Sequence, residues 1–294
     1  MANLKEVRTR IASVKSTMQI TSAMKMVAAS KLRRAQNAIL TMRPYASKML
    51  EIMQNLSGSL DGSDEGVYGT DRGSDKVLIV PITSNRGLCG AFNANVVKQT
   101  VKLIDSEFSS QNANGKLDLF CIGNKGADLL KSRNYNIVSI NHEIFDELSF
   151  DNVVIIAESL MADFTDKKYD KIILVYNQFK NAASQIMTVE QFLPVVATDN
   201  VEVETTVKAD YIFEPSKEEI LEEMVPKSIK VQLYKAILDS FASEHGARMT
   251  SMHQATDNAN DLLQDLKLKY NKARQAAITN EILEIVGGAE ALKG

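Results

Sequence analysis

The chain has 294 residues, of which 45% are hydrophobic and 24% are charged, as in a soluble globular protein with a substantial core. The formal net charge of -3 argues against general binding to nucleic acid, and two cysteines are too few for a disulfide framework. No segment approaches about 18 continuous apolar residues, so direct insertion into a membrane is not predicted. The N-terminal residues lack the apolar run of a signal peptide and include Glu6, which transit peptides avoid, so a reducing cytoplasmic compartment is expected.

The N-terminal segment is predicted to form one long helix, because residues 2–42 contain neither glycine nor proline. Its first apolar positions alternate spacings of three and four, which is typical of a coiled-coil seam; they are Leu4, Val7, Ile11 and Val14. The next apolar positions are Ile20, Met24, Val27 and Leu32. This drift predicts an imperfect heptad. Residues 1–43 carry nine basic side chains and one acid, so the helix has a basic surface, and Pro44 is expected to kink it.

A second long helix is predicted at the other end of the chain. Ser216 and Glu219 have the spacing of a capping box, and Pro226 is expected to begin a fresh helix. Residues 247–286 again lack glycine and proline, and their apolar positions at three-four spacing are Met252, Ala255, Ala259, Leu262 and Leu266. At about 1.5 Å per residue, each arm of about 40 residues would be on the order of 60 Å long, which exceeds the diameter of a small domain. We therefore expect the arms to pair as an antiparallel coiled coil.

Between the arms, the pattern changes to alternating strands and helices. Buried strands are predicted at residues 76–82, 117–123 and 171–179, and helices near residues 91–106, 125–131 and 153–165. This alternation predicts a small, mostly parallel α/β (Rossmann-like) domain inserted in the coiled coil. The predicted divisions are an N-terminal coiled-coil helix (1–56), a linker loop (57–75), the central domain (76–209), and a C-terminal foot segment with the second coiled-coil helix (210–294).

The sequence lacks the motifs of a nucleotide or metal site. No Walker A or GxGxxG sequence occurs, and the three histidines have no metal-binding spacing, so no cofactor or metal is predicted. The loop SNRGLCGAF at residues 84–92 places Cys89 between glycines after a strand, an arrangement that resembles an enzyme's active-site loop. A nucleophilic cysteine needs a base, and none is suggested nearby, so a tight turn for close packing is the favoured interpretation.

Three long segments resemble the gamma subunits of bacterial ATP synthases. They are IASVKSTMQITSAMKMVAASKLRRAQ (11–36), SNRGLCGAFN (84–93) and SEHGARMTSMHQATDNANDLLQDLKLKYNKARQAAITNEILEIVGGAEAL (243–292). The resemblance implies a non-catalytic central shaft, present once per complex, inside a ring of three alpha and three beta subunits. It also implies a base that rests on the membrane-embedded c-ring beside the epsilon subunit, at the cytoplasmic face of the bacterial plasma (inner) membrane, as a peripheral protein.

The resemblance further implies roles for individual residues. Met24 matches the shaft position that faces an acidic loop of the beta subunit. Polar shaft positions that contact the surrounding ring are matched by Arg248, Arg274, Gln275 and Thr279, with Glu281 and Glu284 beside them. The foot that meets the c-ring and epsilon is matched by Tyr211, Phe213 and Glu214. The cysteine-containing insert of the chloroplast relatives is not seen in this sequence.

Two other classes of protein stay open on the residues alone. The first is a coiled-coil scaffold, forming a homodimer and binding a partner through its α/β domain. The second is an enzyme that uses Cys89, with the long helices as additions. Co-purification with two larger proteins in molar excess would favour the shaft, whereas an activity lost on Cys89→Ala would favour the enzyme.

Overall fold

The computed structural model describes residues 4–57, 66–195 and 217–291. The helices in this part of the chain are α1 (Leu4–Ser57), α2 (Gly66–Gly69), α3 (Phe92–Glu107), α4 (Ser109–Ala113), α5 (Asn124–Lys131), α6 (Phe150–Thr165) and α7 (Lys217–Ala291). The strands are β1 (Val77–Pro81), β2 (Leu117–Ile122), β3 (Ile137–Asn141), β4 (Lys171–Phe179) and β5 (Gln185–Leu193), and a short 3-10 helix covers Glu143–Phe145. The predicted fold class, two long terminal helices with a central α/β region, is confirmed.

The described residues fall into two compact units. The coil unit comprises residues 4–29 and 248–291, and the sheet unit comprises the described residues from 30 to 247. The boundaries 1–56, 57–75, 76–209 and 210–294 were drawn on composition and stay a prediction. Part of the predicted linker loop is ordered as α2, and the Arg72 side chain beyond it donates a hydrogen bond to the Phe164 carbonyl oxygen (2.8 Å).

The sheet has the strand order β3-β2-β1-β4-β5, with β5 antiparallel to β4 and all other pairs parallel. The three predicted strands are confirmed as β1, β2 and β4. The two edge strands were not predicted, since β3 is largely exposed and β5 lacks a continuous apolar run. A turn at Asn181 joins β4 to β5, because its side-chain oxygen accepts hydrogen bonds from the backbone N–H groups of Ala183 (3.0 Å) and Ser184 (2.8 Å).

Helices cover both faces of the sheet, which explains why β1 is buried along its whole length. Alternate β1 residues point to opposite faces: Val77 and Ile79 pack with α3 and α5, whereas Leu78 and Val80 pack with α6 and α7. The α6 helix begins where the Ser149 hydroxyl accepts a hydrogen bond from the Asn152 N–H (3.3 Å). The cover supplied by α7 comes from Ile229, Leu233, Ala236 and Ile237.

The expectation that Pro226 begins a fresh helix is wrong. The α7 helix runs without a break from Lys217 to Ala291 with Pro226 inside it. A proline in a helix removes one hydrogen bond and clashes with the preceding turn. Packing offsets that cost here, since Val225 and Ile229 on either side contact the core beneath α7. Ser216, the first residue of the predicted capping box, lies outside the described residues.

The coiled-coil seam is more regular than the sequence pattern indicated. In α7, three-four spacing links residues that are buried or half-buried, and the series is Met249, Met252, Thr256, Ala259, Leu263, Leu266 and Tyr270. In α1, the corresponding series in the coil unit is Leu4, Val7, Ile11, Val14, Met18, Thr21, Lys25 and Ala28. The Thr21 and Thr256 hydroxyls lie 2.8 Å apart across the seam. The predicted departure of the α1 seam from a regular heptad is therefore wrong. Thr21 and Lys25 occupy seam positions, and a prediction based on apolar residues misses them because they are polar.

Candidate functional site

A second apolar stripe lies on α1, outside the seam. Ile20, Met24 and Val27 follow i, i+4, i+7 spacing and are 53%, 41% and 59% exposed. Each of these residues directly precedes a seam residue, so this outer stripe faces about 100° away from the seam. Met24, which the family resemblance implies to be a contact residue, lies in the middle of it. The sequence reading missed its neighbours Ile20 and Val27 as site residues because it assigned them to a drifting seam.

The far end of α7 also exposes large apolar side chains. From Arg274 to Glu290, no residue is buried. The C-terminal apolar end consists of Ile278, Ile282, Leu283, Ile285 and Val286. Helix formation over so many residues normally depends on packing an apolar face. This end therefore presents a surface suited to contact with another protein.

Five of the six polar residues implied as ring contacts lie on the same part of α7. Arg274, Gln275 and Thr279 are exposed, as are Glu281 and Glu284, whereas Arg248 is half-buried near the other end of the coil unit. The Thr279 hydroxyl donates to the Gln275 carbonyl oxygen of its own helix (2.9 Å). Thr279 consequently offers lone pairs to a partner, while the Gln275 side-chain amide keeps its donors. Tyr211, Phe213 and Glu214 lie outside the described residues.

The carboxyl edge of the sheet, where α/β folds commonly bind nucleotides, is occupied by the chain itself. The first turn of α5 donates its N–H groups to three consecutive residues after β1. Gly126 donates to the Thr83 hydroxyl (2.9 Å), Lys125 to the Ser84 carbonyl (3.0 Å), and Asn124 to the Asn85 side-chain oxygen (3.3 Å). These N–H groups are the ones that a phosphate would need.

Two glycines at this edge serve packing. A Cβ atom at Gly123 would lie 2.2 Å from the Thr83 carbonyl oxygen, and one at Gly126 would lie 2.6 Å from the Thr83 hydroxyl. The glycine-containing segment at the start of α5 therefore lets the backbone approach Thr83. It does not form a cradle for a ligand.

Cys89 is held in a closed polar turn. Its side chain is 1% exposed, and its sulfur accepts a hydrogen bond from the Asn93 side-chain amide (3.3 Å). The Asn93 side-chain oxygen in turn accepts from the Ser84 backbone N–H (2.9 Å). These are neutral groups, and none of them is a general base. The arrangement supports the tight-turn interpretation of SNRGLCGAF.

The tip of the same turn carries a residue that the sequence reading did not single out. Leu88 is 65% exposed and has a φ of 65°. This left-handed conformation is unfavourable for a residue with a branched side chain. A large apolar side chain held in this conformation in solvent is a candidate contact point. Its only sequence signal is the pair of flanking glycines one and two residues away.

Within residues 4–57, 66–195 and 217–291, no group of three or more His, Cys, Asp or Glu side chains is arranged to hold a metal ion. The same part of the chain contains no helix with the length and hydropathy needed to cross a bilayer.

Comparisons of the sequence and of the fold with known proteins lead to the same family. A family model described as ATP synthase matches residues 3–292. The ATP synthase gamma chains of Flavobacterium johnsoniae and Christiangramia forsetii are 60% and 58% identical to this chain, each over 294 residues and 100% of both proteins. The central stalk and c-ring structure of the Tetrahymena thermophila mitochondrial ATP synthase contains a chain that is 27% identical, with a TM-score of 0.57 over 80% of this chain and 99% of that one.

A chain of the Euglena gracilis mitochondrial ATP synthase shares the fold, with a TM-score of 0.68 over 98% of this chain and 94% of that one, at 22% identity. Sequence identity, coverage and fold therefore agree, and the chain belongs to the ATP synthase gamma chain family.

Proposed function

We propose that this chain is the central shaft of a rotary ATP synthase, coupling rotation of a membrane-embedded c-ring to conformational change at the catalytic beta subunits. The observation that carries the proposal is the exposure of the outer stripe and the C-terminal apolar end in the coil unit. Apolar side chains in water are unfavourable unless another protein covers them. A ring of alpha and beta subunits around the coil unit would supply that cover.

The asymmetry of the coil unit explains how a shaft can act on its ring. Three alpha and three beta subunits form a threefold ring, whereas one outer stripe faces one direction at a time. Each beta subunit therefore meets a different surface of the shaft, so three chemically identical sites become unequal. The free-energy difference between sites is a coupling energy made of shaft contacts, and rigid-body rotation passes it from one subunit to the next. One copy of this chain per complex follows from this mechanism.

Within this role, Met24 and the other outer-stripe residues contact the beta subunits through apolar packing. Polar contacts to the ring come from Arg248, Arg274, Gln275 and Thr279, with Glu281 and Glu284 beside them. Exposed polar contacts of this kind are individually weak and screened by salt, so they can break and form again as the shaft turns. Tyr211, Phe213 and Glu214 form the foot on the c-ring and epsilon subunit.

The chain itself carries no catalysis in this proposal. The occupied N–H groups of α5 and the hydrogen bond that Asn93 donates to the buried Cys89 sulfur support that assignment. Its location is the cytoplasmic face of the bacterial plasma membrane, where it is held peripherally through the c-ring.

The proposal is tested by co-expressing the chain with the alpha and beta subunits of the same organism. Native mass spectrometry should give three alpha, three beta and one copy of this chain. A dimer of this chain without the larger subunits would instead indicate a coiled-coil scaffold.

A matched pair of variants tests the outer stripe. Met24→Asp places a charge in the middle of the stripe, whereas Gln19→Asp places one at an exposed position on another face of α1. Met24→Asp should reduce ATP hydrolysis per complex much more than Gln19→Asp. Equal rates in the two variants would remove the outer stripe from the mechanism.

A further inference from the structure

A groove of about 250 Å³ lies in the sheet unit between α1, α7 and the chain around the 3-10 helix. Its lining includes Ala35 and Ala38 on α1, and Tyr234 and Phe241 on α7. The small side chains of α1 lie opposite the large rings of α7, so the two helices leave space between them. Ala35 is buried and lies at the floor of this space. We call this feature the α1–α7 groove.

Aromatic side chains form the walls of the α1–α7 groove, and other rings hold them in place. The rings of Phe145 and Phe241 are nearly parallel (9°), with their centroids 6.1 Å apart. Phe241 also meets the His245 ring edge to face (4.4 Å between centroids), and Tyr234 meets the Phe150 ring in the same way (5.5 Å). Aromatic pairs in these arrangements are favourable. The walls are therefore preorganised, and a ligand that stacks on them loses little free energy to the ordering of side chains.

The lining of the α1–α7 groove carries two cations and a carboxylate. Lys31 and Arg34 are exposed and lie three residues apart on α1, so they share one side of the helix. Neither of them, nor Asp146, forms an ion pair with another described residue. Burial raises the pKa of Tyr234, so its hydroxyl keeps its proton and can donate a hydrogen bond. The groove therefore combines apolar aromatic walls with positive charge that has no counter-ion in the described part of the chain.

We propose that the α1–α7 groove binds a small planar aromatic carboxylate, with its ring on the aromatic walls and its carboxylate beside Lys31 and Arg34. The planar fork of donors on Arg34 matches a carboxylate, and Lys31 adds a second positive charge. These two cations outweigh Asp146, so an anion is favoured over a cation of the same shape. A volume of about 250 Å³ lies just below the range for drug-sized ligands, which limits the ligand to one or two rings. All lining residues belong to the sheet unit, so the site is complete in the isolated chain and independent of the proposed shaft function.

The first measurement is saturation-transfer NMR on the full-length chain with three probes of one shape and different charge. They are cinnamate, which is an anion, cinnamamide, which is neutral, and cinnamylammonium, which is a cation. Cinnamate should bind with a Kd of about 1 mM or lower, as expected for a ligand of this size. It should bind about threefold or more tightly than cinnamamide, and cinnamylammonium should bind most weakly. No binding of cinnamate, or an affinity no higher than that of cinnamamide, would overturn the proposal.

Methyl NMR of the same chain locates the bound probe. Cinnamate should shift the methyl signals of Ala35, Ala38 and Leu148, which line the groove. The methyl signals of Leu268, an exposed leucine of the coil unit, should stay unchanged. Shifts confined to the coil unit would mean that cinnamate binds exposed apolar side chains in general, and the proposed site would then be wrong.

A matched pair of variants tests the role of charge. Arg34→Gln should weaken cinnamate binding by about threefold or more and leave cinnamamide binding unchanged, because only a charge is removed. Arg33→Gln is the control, since Arg33 is the neighbouring residue, is exposed and does not line the groove. Equal effects of the two variants on cinnamate would refute the assignment. Ala38→Phe fills the groove and should abolish binding of both probes, but the comparison of Arg34→Gln with Arg33→Gln changes only exposed side chains and stands without it.

The assembled complex distinguishes a small-molecule site from a surface that another subunit covers. Saturation transfer is repeated on this chain co-expressed with the alpha and beta subunits, with the Ala38→Phe complex as the blank. The Kd for cinnamate should be the same as in the isolated chain. Loss of binding on assembly would show that a neighbouring subunit occupies the groove, and the proposal of a small-molecule site would then be wrong.

Discussion

Replacing Gln275 and Thr279 together should slow turnover of the assembled complex by about tenfold. The two residues lie four apart on one exposed face of α7, so a partner can contact both at once. The Thr279 hydroxyl proton is used within the helix, whereas the structure gives the Gln275 side-chain amide no partner among the described residues. A neutral hydrogen bond contributes about 0.5–1.5 kcal/mol. Losing the Gln275 bond and the Thr279 acceptor together removes about 1.4 kcal/mol, and this is tenfold in rate if the bonds form at only one rotary angle.

The assay is ATP hydrolysis per assembled complex, with subunit ratios checked on a gel. Gln275→Ala alone should account for most of the loss, and Thr279→Ala alone should cost less than about threefold, because only an acceptor disappears. Gln264→Ala, an exposed glutamine elsewhere on α7, is the control and should leave the rate near normal. Normal turnover in a normally assembled double variant would show that these side chains form only a solvated helix face.

Three further outcomes are expected. Calorimetry on the isolated chain should detect no ATP binding in the micromolar range, since the N–H groups that would bind phosphate already donate to the chain itself. Glu214→Lys should weaken proton-driven synthesis and spare hydrolysis by the detached head; equal damage to both would place Glu214 in head assembly or in the fold. Gly123→Ala should cost about 3 kcal/mol or more in urea unfolding, because its Cβ would meet the Thr83 carbonyl oxygen at 2.2 Å with φ at 96°, whereas Gly87→Ala, with open space around it, should cost under about 1 kcal/mol.

The central strands were predictable because burial on both faces leaves a continuous apolar run in the sequence. The β1 strand is buried at every position, and β4 matches its predicted span, residues 171–179. The edge strands β3 and β5 were missed for the opposite physical reason. Each has only one strand neighbour and a partly exposed surface, so its side chains need not be apolar. Their positions depend on pairing with distant strands, and no local pattern records that pairing.

The two long terminal helices were predictable from the sequence, but their boundaries and seam residues were not. Absence of glycine and proline predicted two long helices, yet Pro226 lies inside α7 because neighbouring packing overrides the local preference. In the same way, Leu262 and Leu263 are equally apolar. The sequence pattern placed Leu262 in the seam, whereas Leu263 is the residue that is buried. Only the three-dimensional spacing of the two helices distinguishes such neighbours. The foot residues Tyr211, Phe213 and Glu214 were assigned by resemblance alone and stay a prediction.

The α1 seam was predicted wrongly at the residues that form the candidate contact surface, and both facts have the same cause. At the height of Thr21 and Lys25, the seam carries a hydroxyl and an ammonium group, while Met24 and its two apolar neighbours face outward. An isolated pair of helices would be more stable with the apolar side chains inside, since burying each contributes about 1.5–3 kcal/mol. Over two helical turns, this sequence has the reverse arrangement, with polar residues in the seam and apolar residues in solvent. The arrangement is therefore unfavourable if the two helices of the coil have no further partner. The arrangement becomes favourable once a partner covers the outer stripe. A place where the sequence pattern departs from what the isolated fold would favour therefore indicates a functional site.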